Sequence, residues 1–412
     1  FGALQGEDRV LSGGKRRKLV GNSRDMSRNF SIAAWAVRKH LDYVSSFTFQ
    51  ATTPDEDFNS QVEDLMKMQS SRHRCDVSAR HPLRRMIRIA EARRTLDGDM
   101  FFVKLKGGQL QAIEGDRCRS SEGYDSPWIN GVKADDYGRA IMYRFYESSN
   151  KRYSNTFRDV PSHRVFHHGY FDRFEQYRGI SPLASGLNAL RDVYENFNYA
   201  LAKSKLSQLF GLVTKRGSED AVGTVEQSED GGAFSVDFGD GPFHLDLDPE
   251  DDATILESKT PSGEFQSFTQ AMIMVALKAL DIPFSFYDES FTNFFGSRAG
   301  LIQYLKSCKS KRQDNQEILN SITLWWMINW LVDGDLVPPS GMDVKKITWN
   351  WVPDGVAWWN PVQEVEGHIK AINAGLTSRT QVCMQTGTDF RDNIKEIAEE
   401  NKFAERHNVR LT

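Results

Sequence analysis

The sequence predicts an α+β chain: a mixed body, a pair of long apolar-striped helices around a small insert, and a helical C-terminal region. Three observations lead there. Apolar spacing switches between helical and strand-like steps up to about residue 170. Two long helical stripes, one opening at Ser181-Pro182 and the other at Thr260-Pro261, flank a Gly-rich acidic segment. Beyond them the spacing is again helical, with tryptophans gathered near its start.

Residues 1–23 are basic, Gly-rich and aperiodic, which predicts an arm without a core of its own. From Arg24 to about Tyr43, Phe30, Ala33, Ala34, Val37, Leu41 and Val44 fall in steps of three and four and predict a helix. Further helices are expected over about Phe58–Arg72 and the arginine-rich Leu83–Leu96. Two strands joined at Gly107-Gly108 follow from Asp99, with more near Ile129–Val132, Ala140–Tyr146 and Arg164–His168. Ser181 and Pro182 supply an N-cap and a first-turn proline. Leu183, Leu187, Leu190, Tyr194, Phe197 and Leu201 then form one apolar seam. A helix to Leu206 would be about 39 Å long at ~1.5 Å per residue.

Strand character at Leu209–Lys215 and Ala233–Phe238, punctuated by glycines, marks the insert. Phe265, Phe268, Met272, Ala276 and Leu280 stripe the second helix, which stops before Pro283. A third pattern runs from about Ser297 to Val332, apolar at both ends and almost wholly polar from Lys306 to Glu317, which predicts a bend or loop there. A Pro361-led helix, a turn at Gly375 and a helix from Asp389 to about Arg406 complete the chain. There are no internal repeats.

The chain has 412 residues, 26% of them charged, and a formal charge of −4. That balance argues against a domain that grips nucleic acid tightly. Charge is nevertheless sorted along the chain. Residues 1–50 hold nine Lys/Arg against four Asp/Glu, whereas residues 217–257 hold thirteen acidic residues and no Lys or Arg. Different regions should meet different partners. No apolar run approaches the roughly 20 residues of a membrane span, and no signal peptide is visible. Because the chain opens on Phe1, trimmed ends are expected. Cys75, Cys118, Cys308 and Cys383 are scattered, which predicts reduced core thiols rather than disulfides or a zinc site.

The order of several short elements resembles the lambda-type portal (head–tail connector) proteins of tailed bacteriophages. Arg24-Asp-Met-Ser-Arg-Asn29 is similar to the family's opening Arg-x-x-x-Arg-Asn. Val160-Pro-Ser-His-Arg-Val-Phe-His-His followed by Gln176-Tyr-Arg-Gly-Ile-Ser-Pro looks like the strand that leads into a Gln-x-Arg-Gly turn and a helix. Phe291-Thr-Asn-Phe-Phe-Gly-Ser-Arg-Ala299 matches the Asn-Tyr-Ser-Ser-x-Arg-Ala region, with Phe294 for Tyr and inexact spacing. Trp358-Trp-Asn-Pro361 and Gly375-Leu-Thr-Ser-Arg379 resemble the family's Asp-Pro and Gly-x-x-Ser/Thr segments, with Asn360 in place of Asp. The matches span about residues 24–400 in the family's order.

The resemblance implies a portal-type subunit: an α/β wing (24–180), two stem helices (181–206 and 262–282), a small β-containing acidic clip (207–261), a wing return with a long kinked helix and tunnel loop (283–345, loop about 306–317), and a helical crown (346–412). It implies a dodecameric ring at the capsid vertex of the virion, assembled in the host cytoplasm, through which double-stranded DNA is packaged and ejected. The implied partners are the terminase large subunit, a head–tail adaptor, the major capsid protein and scaffold. No membrane, cofactor, metal or catalytic residue is expected. The ATP-consuming step would belong to a partner.

A DNA conduit must not adhere to its cargo, since each neutralised phosphate releases counterions and strengthens binding. A mildly acidic chain with a few local cations fits. Lys306, Lys309, Lys311 and Arg312, in the apolar gap of the third long helix, are the channel candidates; the alternative is a solvated helix face. Lys203 and Lys205 face the lumen, or pair with a neighbouring subunit or the acidic insert. The insert itself, with Glu250, Asp251 and Asp252, reads as a docking surface for basic partners, against a solvated surface or a Ca²⁺ site whose EF-hand pattern is missing.

Other chemistry finds little support. Strand alternation places His167 and His168 on opposite faces, against a shared metal site with His163. There is no Gly-x-Ser-x-Gly elbow, and Ser12-Gly-Gly-Lys15 lacks P-loop spacing. The tryptophans Trp325, Trp326, Trp330, Trp349, Trp351, Trp358 and Trp359 are expected to pack where the third long helix meets the tail, or across a subunit interface. Two other readings compete: a Mg²⁺-dependent nucleic-acid-processing enzyme, and another ring-forming tail or baseplate protein. The first would need carboxylates at core strand ends, whereas here they crowd into one Gly-rich insert.

Overall fold

The computed structural model describes residues 5–120, 127–147, 156–209, 212–215, 252–255, 263–288, 294–356 and 360–410. The chain divides into two units, one of residues 1–191 with 273–412 and one of residues 192–272.

The larger unit opens with α1 (Glu7–Val10), α2 (Gly13–Asn29) and α3 (Ser31–Val44), then β1 (Phe47–Ala51), α4 (Glu56–Gln69), α5 (Arg72–Cys75) and α6 (Leu83–Asp97). Strands follow: β2 (Asp99–Lys104), β3 (Leu110–Glu114), β4 (Trp128–Ile129), β5 (Val132–Ala134), β6 (Ala140–Tyr146), β7 (Phe157–Pro161) and β8 (Val165–Gly169). All pair antiparallel, in a three-stranded sheet β3-β2-β8 and a four-stranded sheet β4-β5-β6-β7.

β2 is central because its side chains serve two cores. Met100 and Phe102 join an apolar cluster with α4 and α6, while Phe101 and Val103 join Val132, Tyr143, Phe145 and Val160 from the other sheet. A strand buried on both faces must read as a continuous apolar run, as Met100-Phe-Phe-Val does. Full burial of Phe101 and Phe102 stabilises the fold by about 1.5–3 kcal/mol each. The β2–β3 hairpin turns at Gly107 and Gly108, whose φ values of 72° and 78° suit glycine.

The smaller unit takes in most of α7 (Leu187–Leu209), an antiparallel pair of β9 (Leu212–Lys215) and β10 (Asp252–Ile255), and the start of α8 (Gly263–Leu277). Within it the Phe197 and Phe265 rings meet edge to face, centroids 6.1 Å apart. The chain then forms α9 (Phe294–Asp333), β11 (Trp349–Pro353), α10 (Pro361–Asn373), α11 (Arg379–Thr386) and α12 (Phe390–Arg406). Asn360 caps α10 ahead of Pro361, and Ser378 with Gln381 makes a capping box on α11.

Several expectations need correction. The segment read as a coreless arm forms α1 and α2, with Asp8, Arg16 and Val20 buried against the body. The single helix expected from Arg24 is two, broken at Phe30, whose extended backbone (φ −118°, ψ 115°) ends α2 and starts α3. Ile129–Val132 is not one strand but a tight hairpin: Asn130 and Gly131 both take positive φ, as an Asn-Gly turn requires. No loop interrupts α9, which runs as one helix for 40 residues through the polar stretch. Strand β1, paired with β11 across some 300 positions of sequence, was not anticipated. The expected strand at Ala233–Phe238 and the capped start at Thr260-Pro261 lie outside the described residues.

Candidate functional site

Two buried charge networks, one on each face of the β2–β8 pair, hold the larger unit together. The first centres on Asp99, at the start of β2. Its carboxylate receives a two-pronged bond from Arg178, Nε to Oδ2 at 2.7 Å and Nη2 to Oδ1 at 2.8 Å. The remaining Arg178 donors reach main-chain carbonyls of Cys118 (2.5 Å), Asn130 (2.7 Å) and Gly115 (2.6 Å). The Gly179 N–H donates to Asp99 Oδ2 as well, at 2.9 Å. One guanidinium thereby ties β2, the Gly115 turn and the Asn130 hairpin to the approach to α7.

The neighbours complete the turn. Gln176 Nε2 donates to the carbonyls of Tyr170 and Arg178, and its Oε1 accepts from Asp172 N–H. Arg16, from α2, donates to Gly179 O at 2.6 Å, and Asp8 accepts from Tyr177 N–H. Burial, with the like charge of Arg178 nearby, lowers the Arg16 pKa to about 10. For Asp99, burial alone would raise the pKa, but the Arg178 charge and hydrogen bonds outweigh it and hold the carboxyl far below its ordinary range.

The second network centres on Glu91 of α6. Its carboxylate accepts from Arg94 Nε (2.9 Å), Tyr170 OH (2.9 Å) and Asn315 Nδ2 (3.0 Å), and lies 3.0 Å from His40 Nε2. His168 sits between Glu91 and Asn315, and Arg94 continues to Asp314 at 2.8 Å. Burial would raise the Glu91 pKa, yet Arg94 and the histidine hydrogen bonds hold it well below the usual carboxylate value. This network accounts for the helical middle of α9: the apolar-poor stretch is buried in part, with Asn315 set against polar partners.

His167 and His168 do point to opposite faces, His167 to Asp99 (3.1 Å) and His168 to the Glu91 network. They share no ligand position. Among the described residues, Asp97, Glu114 and Asp116 are close enough to hold an ion. Arg24 already lies there, its Nη2 within 2.6–2.9 Å of all three. Cys75, Cys118 and Cys308 are buried thiols; burial pushes Cys75 and Cys118 up to about 12, which leaves them unreactive.

The four candidate channel cations divide into two pairs. Lys306 and Lys309 are exposed on α9. Lys311 instead donates to Leu280 O (3.2 Å) and pairs with Asp281 (3.0 Å), and Arg312 donates to Tyr43 O at 2.6 Å. Lys203 and Lys205 are exposed on α7. Asp252 stands in β10 opposite Lys215, whereas Glu250 and Asp251 lie outside the described residues. Of the tryptophans, Trp326, Trp330 and Trp351 are buried in the main core with Trp325 and Trp349 against it, and Trp358 and Trp359 lie outside the described residues. The buried hubs were missed as such, although Arg24 and Gln176-x-Arg178-Gly179 stood out as motifs.

The family described as "Phage portal protein, lambda family" matches residues 5–312. The chain belongs to the lambda family of phage portal proteins. A related "Probable portal protein" of Halomonas phage phiHAP-1 is 24% identical over 383 residues, covering 84% of this chain and 71% of that protein. The fold of this portal protein is similar to a chain of the solved "Virion of native gene transfer agent (GTA) particle", with a TM-score of 0.51, 13% identity, and coverage of 90% and 94% of the two chains. It is likewise similar to one in the "Neck of native GTA particle computed with C12 symmetry", at a TM-score of 0.50, 15% identity and the same coverage. The α+β architecture expected from the sequence is therefore that of a portal subunit, a structural class of protein. Among its described residues no helix is long and apolar enough to cross a membrane.

Proposed function

We propose that this portal protein assembles with copies of itself into a ring, expected to be a dodecamer, set at the capsid vertex of a virion. Double-stranded DNA passes through its bore during packaging and ejection. One observation carries the oligomer. The apolar seam of α7 starts buried, with Leu187 and Leu190 at 8% and 2% exposure, then continues exposed with Phe197 and Leu201 at 41% and 55%. On α8, Phe268 and Val275 are likewise exposed. Apolar stripes left open along two helices call for a partner surface, and a second copy of the same helices supplies one. The twelvefold symmetry under which a chain of similar fold was solved favours that occupant.

In this reading Lys306 and Lys309 touch phosphates in the bore, and Lys203 and Lys205 form a second cationic set. The insert with Glu250, Asp251 and Asp252 docks basic faces of the terminase large subunit and later of the head–tail adaptor. The wing meets the major capsid protein and scaffold, and assembly takes place in the host cytoplasm. The chain itself turns over no substrate.

Native mass spectrometry and negative-stain imaging of the purified chain test this. Rings for the unaltered protein, and loss of them for Phe197→Asp with Leu201→Asp, are the expected result. A monomer that cleaves DNA with Mg²⁺ would instead favour a nucleic-acid-processing enzyme. Annular particles unaffected by charge reversal at Glu250, Asp251 and Asp252 in motor binding would remove the docking role alone.

A further inference from the structure

A groove of about 750 Å³ opens between the end of β2, the Gly107-Gly108 turn, the Ser162–Arg164 turn and the last turns of α9. Its rim carries Arg74, Lys104, Lys106 and Arg164 against Asp333 and Asp335. None of the four cations makes an ion pair with a described carboxylate. Lys104 is the telling one. It is half-buried, with its ammonium 4.3 Å above the Phe166 ring, and burial alone lowers its pKa. A half-buried cation over an aromatic face, in no ion pair with a described carboxylate, leaves its charge open to an anion from outside.

The floor is apolar. Trp326 and Trp330 are almost wholly buried beneath it and Trp325 is half-buried at its side. The indole N–H of Trp326 is committed to Gly108 O at 2.7 Å, which fixes the turn that forms one wall. The site therefore offers fixed walls, an apolar floor and an excess of positive charge.

We propose that this groove binds an acidic peptide segment of a partner protein, its carboxylates on Lys104 and Arg164 and one apolar side chain against the half-buried edge of Trp325. Nucleic acid fits less well. Its bases need open aromatic faces, whereas Trp326 and Trp330 are 0% and 5% exposed. Asp333 and Asp335 would also repel a phosphate chain. A peptide can place carboxylates at the cationic side and leave the two aspartates to water.

Fluorescence polarisation with the purified full chain and a labelled peptide of Asp and Glu alternating with Leu and Phe tests the assignment. Saturable, salt-sensitive binding is expected. Lys104→Gln with Arg164→Gln should weaken it by on the order of tenfold, and Asp333→Asn with Asp335→Asn should tighten it. Unchanged thermal midpoints would show that both variants fold. Non-saturable binding, or the same affinity in wild type and both variants, would overturn the proposal. So would displacement of the peptide by a labelled oligothymidylate strand that binds more tightly. None of these outcomes depends on whether the chain forms rings.

Discussion

Asp99 and Arg178 face each other across two hydrogen bonds of 2.7 and 2.8 Å with both side chains excluded from solvent. Seventy-nine residues of sequence separate them. The fork joins β2 to the turn that precedes α7, so that turn is held by a buried charge pair.

Replacing one partner of that pair leaves the other charge stranded. Asp99→Ala or Arg178→Met should each lower unfolding stability by about 3–5 kcal/mol, measured by denaturant titration. Arg178→Lys keeps the charge but not the fork, and should still cost roughly 1.5–3 kcal/mol. A lysine variant as stable as the parent would mean that charge alone, not geometry, holds the turn.

Backbone approach beneath the fork is equally tight. A Cβ built on Gly179 would lie 2.1 Å from Gly98 O, and one on Gly98, at φ 95°, would lie 2.5 Å from Gly179 O. The glycine of the Gln-x-Arg-Gly turn is thus required by contact with a glycine that ends α6. Gly179→Ala should destabilise by about 1–3 kcal/mol. Gly367→Ala makes the control, because a Cβ there meets nothing within 4 Å. Equal melting temperatures for the two variants would contradict the close approach.

Acid should weaken the body through its buried histidines. His40, His167 and His168 all have pKa values lowered from 6.5, chiefly by burial, so each stays neutral in the folded protein. The unfolded chain therefore binds more protons below about pH 6.5. Stability is full above that value and falls as pH drops toward the folded pKa, by at most about 1.4 kcal/mol per pH unit for each histidine. Glu91 and Asp99, held below their ordinary range, add to the loss at still lower pH, once it falls below the unfolded carboxylate range. Denaturant midpoints taken from pH 7.5 downward should decline, and His168→Asn should flatten the first part of that decline. A flat profile in the parent would mean that the histidines take up protons equally in the folded and unfolded chains.

How much of this was readable beforehand depended on where the partner lies. The strand at Met100-Phe-Phe-Val and its turn at Gly107-Gly108 are legible because both signals are local, whereas burial on both faces comes from the second sheet. The seam of α7 was equally legible, since its period is internal to the helix. The polar middle of α9 hides its contacts for the opposite reason. Periodicity counts Asp314 and Asn315 as solvent-facing, yet they meet Arg94 and Glu91, some 220 positions earlier. Residues 5–23 looked coreless because the partners of Asp8 and Arg16 lie near Tyr177 and Gly179. The Asn130-Gly131 turn is legible in its dipeptide, which favours hairpins, although the apolar spacing of Ile129–Val132 alone reads as one strand. The groove at Lys104 needed coordinates altogether, as its walls come from four separate stretches.

The same division separates the α9 cations by experiment. Lys311 and Arg312 anchor the helix to Leu280, Asp281 and the Tyr43 carbonyl, and burial lowers the Arg312 pKa. Replacing both with Gln should cost about 1–3 kcal/mol of stability by leaving the part-buried carbonyls of Leu280 and Tyr43 unmatched. Lys306 and Lys309 are exposed. Gln at both should shift stability by no more than about 0.5 kcal/mol while changing how much DNA packaged particles retain. Measured together, unfolding free energy and DNA retention should respond to different pairs. If Lys311 and Arg312 alone alter retention in rings that remain fully stable, phosphate contact belongs to them, and their tethers to Asp281 and Tyr43 must release when DNA enters.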